Sequence, residues 1–150
     1  DVYKRQELVK IRKVTLMTTN VYIARQFRKN EQANIVILGG VYQHDSETLV
    51  GKITRACIDQ VNIDKAFIGI DGYTTETGFT LRDMFRAEIS SYIIQKSKDL
   101  FVVSDSSKFG CAGLTSICKL PDIQHVATDS DLAREYRDEL MEAGIDLILA

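Results

Sequence analysis

Short apolar runs rich in β-branched residues alternate along this chain with segments whose apolar residues recur at helical spacing. This alternation is typical of βαβ units, in which helices connect parallel strands and cover the sheet. The sequence therefore predicts an α/β fold with a mostly parallel sheet flanked by helices. The predicted strands lie at 14–18, 34–38, 64–70, 100–103, 125–128 and 145–149.

Helical periodicity and capping residues predict the helices between these strands. Asn20 is suited to cap the first helix, and Gly144 to end the last. The stretch 43–50 is predicted as a loop or hairpin, and 73–80 as a loop with short extended pieces. The helices are predicted at 21–29, 51–61, 83–98 and from 129 or 130 to about 142. The predicted packed face of the second helix consists of Ile53, Ala56, Cys57 and Ile58. The predicted packed face of the third helix consists of Phe85, Ile89, Tyr92, Ile93 and Lys96.

Length and charge narrow the possible functions. A chain of 150 residues has the size of one ordinary domain, and its apolar runs are far shorter than the ~20 residues that span a bilayer. With 19 basic and 21 acidic residues the formal net charge is −2, so no large positive field is available for a DNA backbone. We expect no membrane partner and no DNA binding by this chain alone.

The cysteines and histidines give no indication of a metal or cofactor. Cys57, Cys111 and Cys118 are odd in number and contain no CxxC pair, which fits reduced thiols in the cytoplasm. His44 and His125 lie far apart in the sequence, and surface or loop roles are expected for both. No cofactor and no metal site are predicted.

Polar turns follow the predicted strands and are candidates for a ligand site. In open α/β sheets ligands bind outside the carboxyl ends of the strands, so these turns are predicted to converge on one crevice. Hydroxyl groups, backbone amides and a lysine suit a phosphate, and aspartates accept hydrogen bonds from sugar hydroxyls. Each turn taken alone is also an ordinary cap or turn. The turns are Thr18-Thr19-Asn20, Gly39-Gly40, Asp71-Gly72 and Asp105–Lys108.

One acidic helix surface is interpreted differently. The predicted last helix carries acidic residues on one face, and such faces are usually solvated and not part of a site. These residues are Glu135, Asp138, Glu139 and Glu142.

An ordered set of motifs resembles the C-terminal domain of the DeoR family of sugar-responsive transcriptional repressors. The motifs are TLMTTNVYIA (15–24), ILGG (37–40), DKAFIGIDG (64–72), GFT (78–80), RAEISSYII (86–94) and VSDSSKFG (103–110). The resemblance runs from about residue 8 to the end, and DSSKFG after a strand is its most specific part. It implies the fold shared with ribose-5-phosphate isomerases and glucosamine-6-phosphate deaminases, used to bind a phosphorylated sugar and release operator DNA.

The resemblance also implies a set of effector-binding residues. By this likeness the site consists of Thr18, Thr19, Asn20, Gly39, Gly40, Asp71, Gly72, Asp105 and Lys108, with Glu88 as a weaker candidate. The implied partners are a phosphorylated sugar or polyol and a second copy of the chain. DNA is an implied partner only through a helix-turn-helix outside this sequence.

Two departures from the family pattern bear on the domain organisation. The family's N-terminal winged helix-turn-helix and its D-x-G-[ST]-[ST] phosphate loop are not found in this sequence. Residues 1–6 do not resemble the family and are interpreted as a foreign or disordered leader. We therefore expect one effector-binding domain over 7–150, truncated at its N-terminus.

Two other functions compete with a sensor domain. A phosphosugar isomerase or deaminase of the same fold would need a base near the ligand's carbonyl group. The deaminase-like enzymes carry a histidine in an Asp-Gly-His segment, whereas this chain has Asp71-Gly72-Tyr73. Asp71 could act as a base in principle, but no catalysis is expected. A purely structural dimerisation domain would not need polar residues at several strand ends. The loops 41–50 and 73–83 are predicted to select the sugar.

Overall fold

A computed structural model describes residues 14–150 of the protein, so the predicted leader at 1–6 lies outside the described residues. The chain divides into two compact units. The first unit ends at Val61, and the second runs from Asn62 to Ala150. Each unit has its own strands, helices and buried side chains.

The first unit combines a parallel strand pair, an antiparallel hairpin and two helices. β1 and β2 pair in parallel with α1 between them, which is a βαβ connection of the predicted kind. β3 and β4 form a hairpin, one of the two alternatives predicted for 43–50. In chain order the elements are β1 (Thr15–Thr18), α1 (Val21–Gln26), β2 (Asn34–Ile37), β3 (Val41–Gln43), β4 (Thr48–Val50) and α2 (Lys52–Asp59).

The second unit contains a parallel sheet and a smaller antiparallel sheet. Two 3₁₀ turns, Ser106–Lys108 and Leu120–Asp122, lie between its later elements. In chain order the elements are β5 (Ile63–Gly69), β6 (Gly72–Thr74), β7 (Gly78–Leu81), α3 (Met84–Lys96), β8 (Ser97–Val103), β9 (Thr115–Cys118), β10 (His125–Thr128), α4 (Arg134–Glu142) and β11 (Asp146–Leu149).

The parallel sheet of the second unit has the strand order β11-β10-β8-β5, and all its neighbouring strands run parallel. Helix α3 packs on β5 and β8, and helix α4 packs on β11. Alternate residues of the strands, such as Ile68, Val102 and Val126, are buried. This arrangement confirms the predicted fold class, an α/β fold with a mostly parallel sheet flanked by helices.

The Thr-rich stretch after β5 was predicted as a loop with short extended pieces, and these pieces are two paired strands of the antiparallel sheet. β7 pairs with both β6 and β9, and all four of its residues are buried. Phe79 and Tyr73 pack their rings against each other, so apolar side chains hold the hairpin closed. Gly78 turns the chain at φ +71, where a Cβ would lie 2.5 Å from the carbonyl oxygen of Cys118. The pairing of the strands was not predicted because the stretch consists mostly of polar residues such as threonine. The packing depends on its few aromatic residues.

The packed faces of two helices also differ from the prediction. Ile53 on α2 is 63% exposed, and the buried residue beside it is Thr54, whose hydroxyl donates to the carbonyl oxygen of Gly39 at 2.7 Å. Phe85 on α3 is 62% exposed, whereas Ile89 is buried as predicted, together with Ala87, which was not predicted to pack. A helix buries the side that meets its neighbours, and a polar side chain with a hydrogen-bond partner can take a buried position.

The last helix begins later than predicted. Helix α4 starts at Arg134, and its N-cap Ala133 makes no side-chain capping bond. Asp129, which was predicted as a possible cap, instead accepts hydrogen bonds from the amides of Ser106 and Asp131. A turn within 129–133 therefore separates β10 from α4.

His125 lies in β10 and is half-buried, so neither a surface nor a loop role describes it fully. Its Nδ1 lies 2.8 Å from the Asp146 carboxylate and its Nε2 lies 2.8 Å from the Asp99 carboxylate. Its ring stacks on Phe101 with the centroids 4.0 Å apart. Both ring nitrogens are thus satisfied within the sheet. Within 14–150 no group of three or more metal-ligating side chains is placed to hold a metal ion.

Candidate functional site

The turn after β1 is held by its own hydrogen bonds. The Thr18 hydroxyl accepts from the Asn20 amide at 3.0 Å, and the Asn20 side chain accepts from the Ile23 amide at 2.9 Å. Asn20 is thus the N-cap of α1, as predicted, and its amide group also donates to Ser46. No residue within 14–150 forms a hydrogen bond with the Thr19 hydroxyl. Of the three predicted ligand residues here, Thr19 has the side chain most available to a ligand.

The two glycines after β2 have different surroundings. A Cβ on Gly40 would lie 2.1 Å from the Thr54 hydroxyl oxygen and 2.7 Å from the Val50 carbonyl oxygen, and its φ is +152. A Cβ on Gly39 would meet only Ile53 and Cys57, at 3.6 and 4.0 Å. Packing against Thr54 and Val50 thus explains Gly40 without a ligand. It does not explain Gly39.

In the second unit three aspartates occupy equivalent positions at one edge of the parallel sheet. Gly69, Val103 and Ala127 are aligned across β5, β8 and β10. Asp71, Asp105 and Asp129 each lie two residues beyond these aligned positions. Neighbouring strands are about 5 Å apart, so the three carboxyl groups leave the same edge at neighbouring positions. Asp71 and Asp105 were predicted as site residues, whereas Asp129 was assigned to a helix cap.

The three carboxylates differ in the number of oxygens already engaged. Asp71 accepts from the Arg82 amide at 2.9 Å, and Arg86 lies 3.9 Å away, both on Oδ2. Asp105 accepts through Oδ1 from the amide and hydroxyl of Ser107. Within 14–150 no hydrogen bond reaches Oδ1 of Asp71 or Oδ2 of Asp105. Each of these two aspartates therefore has one oxygen that can accept from a ligand.

Hydrogen bonds lower the pKa of two of these carboxyl groups. The pKa of Asp105 is lowered from its ordinary value of 3.8, mainly because the Ser107 hydroxyl donates to it, with a further effect of the positive charge of Lys108. The pKa of Asp129 is lowered because the amide and hydroxyl of Ser106 donate to it. Both groups therefore carry a negative charge at neutral pH.

The turn 105–108 was predicted to offer backbone amides to an anion, and three of its amides already have partners. The Ser106 amide donates to Asp129 at 2.7 Å, and the Ser107 amide donates to Asp105 at 3.0 Å. The Lys108 amide donates to the Asp105 carbonyl at 3.3 Å. The Asp105 amide has no hydrogen-bond partner among residues 14–150, and the Lys108 ammonium supplies the positive charge at this turn.

Gly72 and Glu88 have separate surroundings. A Cβ on Gly72 would lie 2.4 Å from the carbonyl oxygen of Cys111, so close packing against the segment after the 105–108 turn requires a glycine there. Glu88 is exposed in the second turn of α3. Its role in binding stays a prediction.

Tyr73, next to Gly72, stands where the deaminase-like enzymes carry a histidine. Its ring is 1% exposed, and its hydroxyl donates to Glu139 at 2.7 Å. Burial, more than the neighbouring Glu139 carboxylate, raises the pKa of Tyr73 well above its ordinary value of 10. Thr75 donates to the other oxygen of Glu139 at 3.1 Å, so the prediction of a wholly solvated acidic face on α4 is wrong for Glu139.

Comparison with known proteins identifies the family of this chain. A sequence profile of the DeoR C terminal sensor domain matches residues 4–130, so the protein carries the sensor domain of a transcriptional regulator. The chain belongs to the DeoR C-terminal sensor domain family. The family and the relatives below are transcriptional regulators and not enzymes.

Relatives match over most of this chain. It is 30% identical over 137 residues to the HTH-type transcriptional regulator IolR of Bacillus subtilis, covering 91% of this chain and 55% of the relative. It is 23% identical over 145 residues to the HTH-type transcriptional regulator GolR of Listeria innocua, covering 97% and 57%. A putative aga operon transcriptional repressor of Escherichia coli O157:H7 is 24% identical over 136 residues, covering 91% and 51%. The chain thus spans about half the length of these relatives.

Proposed function

We propose that this domain senses a phosphorylated sugar or polyol and thereby controls DNA binding by the regulator that contains it. The observation that carries the proposal is the strand-end edge of the second unit. There Asp71 and Asp105 each present one carboxylate oxygen without a hydrogen bond from a described residue, and the positive charge of Lys108 helps to lower the pKa of Asp105.

The charges of this edge suggest how the ligand would be oriented. Carboxylate oxygens accept hydrogen bonds from sugar hydroxyls, and they repel a phosphate. Lys108 is half-buried and follows Asp105 by three residues, so it supplies the positive charge that a phosphate needs. We expect the polyol to contact Asp71 and Asp105 and the phosphate to contact Lys108. Gly72 and Glu88 belong to the same proposed site.

The strand ends of the first unit hold the other predicted ligand residues, and we propose these as ligand contacts by themselves. Thr19 has a hydroxyl that no described residue engages, and Gly39 is a glycine that its packing does not require. Thr18, Asn20 and Gly40 have structural roles that account for them, so their part in binding rests on the resemblance alone.

The proposed partners follow the relatives' printed names. IolR and GolR are HTH-type regulators, and the sequence matched here covers about half of each. We propose that the regulator containing this chain binds DNA through a helix-turn-helix, acts in the cytoplasm on genes of carbohydrate metabolism, and forms a homo-oligomer. No helix within 14–150 is long and apolar enough to cross a membrane.

Catalysis on a phosphosugar is the competing function, and the contacts of Tyr73 oppose it. A general base must reach its substrate and exchange protons near neutral pH. The Tyr73 hydroxyl is buried against Glu139, and its pKa is raised far from that range. A turnover assay on any phosphosugar that binds should therefore detect no product.

Thermal unfolding with matched ligand pairs tests the proposal. The protein is heated with hexose, pentose and hexitol phosphates and with the same compounds lacking phosphate. At 100 times its Kd a ligand adds about 2.7 kcal/mol, which raises the Tm of a domain this size by roughly 5–10 °C. We expect such a rise for at least one phosphorylated compound and a smaller one for its unphosphorylated form. Equal rises for both forms, or none for any compound, would overturn the proposal.

A further inference from the structure

The turn after β8 is tied to the turn after β10 by one side chain. Asp129 Oδ2 accepts from the Ser106 amide at 2.7 Å, and Asp129 Oδ1 accepts from the Asp131 amide at 3.0 Å. The strand pairing also continues one step beyond β8, because the Ser104 amide donates to the Ala127 carbonyl at 3.1 Å. The Asp129 carboxylate thus joins two strand-end turns that lie far apart in sequence.

The two engaged oxygens give Asp129 a different role from its neighbours. Asp71 and Asp105 each keep one oxygen without a hydrogen bond from a described residue, whereas both oxygens of Asp129 accept from backbone amides. It does not cap α4 either, because that helix begins at Arg134. Its contacts therefore serve the turn and not a ligand.

The remaining bonds of the turn are local. Ser107 donates to Asp105, the Lys108 amide donates to the Asp105 carbonyl, and the Phe109 amide donates to the Ser106 carbonyl. Such short-range bonds can move together with the turn, whereas the bond to Asp129 anchors it to the sheet. The anchor lies two residues before Lys108.

We infer that Asp129 is a positioning residue, which holds the 105–108 turn so that Lys108 and the open oxygen of Asp105 face the same ligand. The inference rests on the proposed function for the identity of that ligand. It assigns to Asp129 no contact with the ligand itself. Without Asp129 we expect the turn to be more mobile. Ligand binding must then also order the Lys108 side chain, and this lowers the affinity.

Two substitutions separate the hydrogen bond from the charge. Asp129→Ala removes both, whereas Asp129→Asn removes the charge and keeps one oxygen that can accept from the Ser106 amide. Asp131→Ala is the matched control, since Asp131 is exposed and contributes only its backbone amide to this turn. Loss of negative charge alone would strengthen phosphate binding, so positioning and charge predict opposite changes for Asp129→Ala.

The experiment uses two readouts on the four proteins, with inorganic phosphate as the probe. Amide hydrogen exchange of Ser106 reports the turn without any ligand, and NMR titration of the Lys108 amide reports phosphate affinity. For Asp129→Ala we expect Ser106 exchange to be about tenfold faster or more, and phosphate affinity to be about tenfold weaker. Asp129→Asn should keep Ser106 exchange near the wild type and bind phosphate as tightly or more tightly, because it loses the charge and keeps the acceptor, and Asp131→Ala should behave in the same way.

The possible failures are distinguishable. A wild-type Lys108 amide that does not respond to phosphate contradicts the proposed function, and the inference falls with it. A wild-type response that Asp129→Ala keeps or strengthens contradicts the inference alone. Unchanged Ser106 exchange in Asp129→Ala also overturns the inference, because the anchor would then not hold the turn. Thermal unfolding of each variant shows that the comparison is made on folded protein.

Discussion

Gly39 and Gly40 are consecutive residues after β2, and their backbones differ in conformation and in surrounding space. Gly40 has a φ of +152 and almost touches Thr54 and Val50, whereas Gly39 has room for a methyl group. A side chain at Gly40 would be strained and would also collide with the Thr54 hydroxyl that donates to Gly39.

We therefore expect Gly40→Ala to lower the free energy of unfolding by about 1–3 kcal/mol, the range for a residue held in a sparsely populated conformation. Gly39→Ala is the matched control and should stay within about 0.5 kcal/mol of the wild type. Urea denaturation of the three proteins measures both values. Equal stability of Gly40→Ala and the wild type would show that Thr54 and Val50 do not constrain this backbone.

The same reasoning divides the predicted ligand residues into two groups. The same residue types are used for ligand binding and for packing, so the sequence alone could not distinguish a binding role from a structural one. Gly40, Gly72 and Asn20 have close packing or capping partners that explain their identity. Thr19 and Lys108 have no such explanation in the described part of the chain. Their substitution should therefore test ligand binding more directly than substitution of the first group.

At the scale of elements, a buried hydrogen bond ties the β6–β7 hairpin to α4. Tyr73 donates to Glu139 and Thr75 donates to the same carboxylate, while the rings of Tyr73 and Tyr136 meet edge to face. A hydrogen bond to a charged acceptor is worth about 1.5–3 kcal/mol, so this link should contribute measurably to stability.

Tyr73→Phe should lower the free energy of unfolding by about 1.5–3 kcal/mol, since the ring is kept and the bond to Glu139 is lost. Tyr136→Phe is the control, because no hydrogen bond from a residue within 14–150 is recorded for its hydroxyl, and its loss should be within about 0.5 kcal/mol. Chemical denaturation compares the two variants. Equal losses would mean that the Tyr73–Glu139 bond does not stabilise the hairpin on the helix.

The elements also show what patterns in the sequence can predict. The parallel strands were predicted from their apolar runs, because strands buried in a sheet need such runs. The extended pieces within 73–80 were predicted, but their pairing was not, since β7 pairs with β9, which lies far away in the chain. The start of α4 was misplaced because Asp129, a good capping residue by type, is engaged by Ser106 across the sheet. In both cases the prediction was incomplete or wrong because the partner of the residues lies far away in the sequence.

At the scale of the whole molecule, the proposed ligand site lies at the edge of the parallel sheet in the second unit. The sequence placed Asp71 and Asp105 after adjacent strands, and the register confirms that these positions are equivalent. Asp129 was not recognised, although it follows its strand in the same way. The pattern in the sequence is an aspartate shortly after each of three apolar strands. Only the alignment of Gly69, Val103 and Ala127 shows that these aspartates occupy equivalent positions.

A calorimetric titration of Lys108→Ala tests the proposed site most directly. The titrant is the phosphorylated sugar with the largest rise in Tm, and the control is Lys98→Ala, which removes an exposed lysine paired with Asp64 at 3.4 Å. Removing a charge-assisted hydrogen bond of about 1.5–3 kcal/mol should weaken binding roughly ten- to a hundredfold in Lys108→Ala. Lys98→Ala should bind as the wild type does, and the Tm of each free variant should be unchanged. Full affinity in Lys108→Ala would contradict the assignment of the phosphate to this turn.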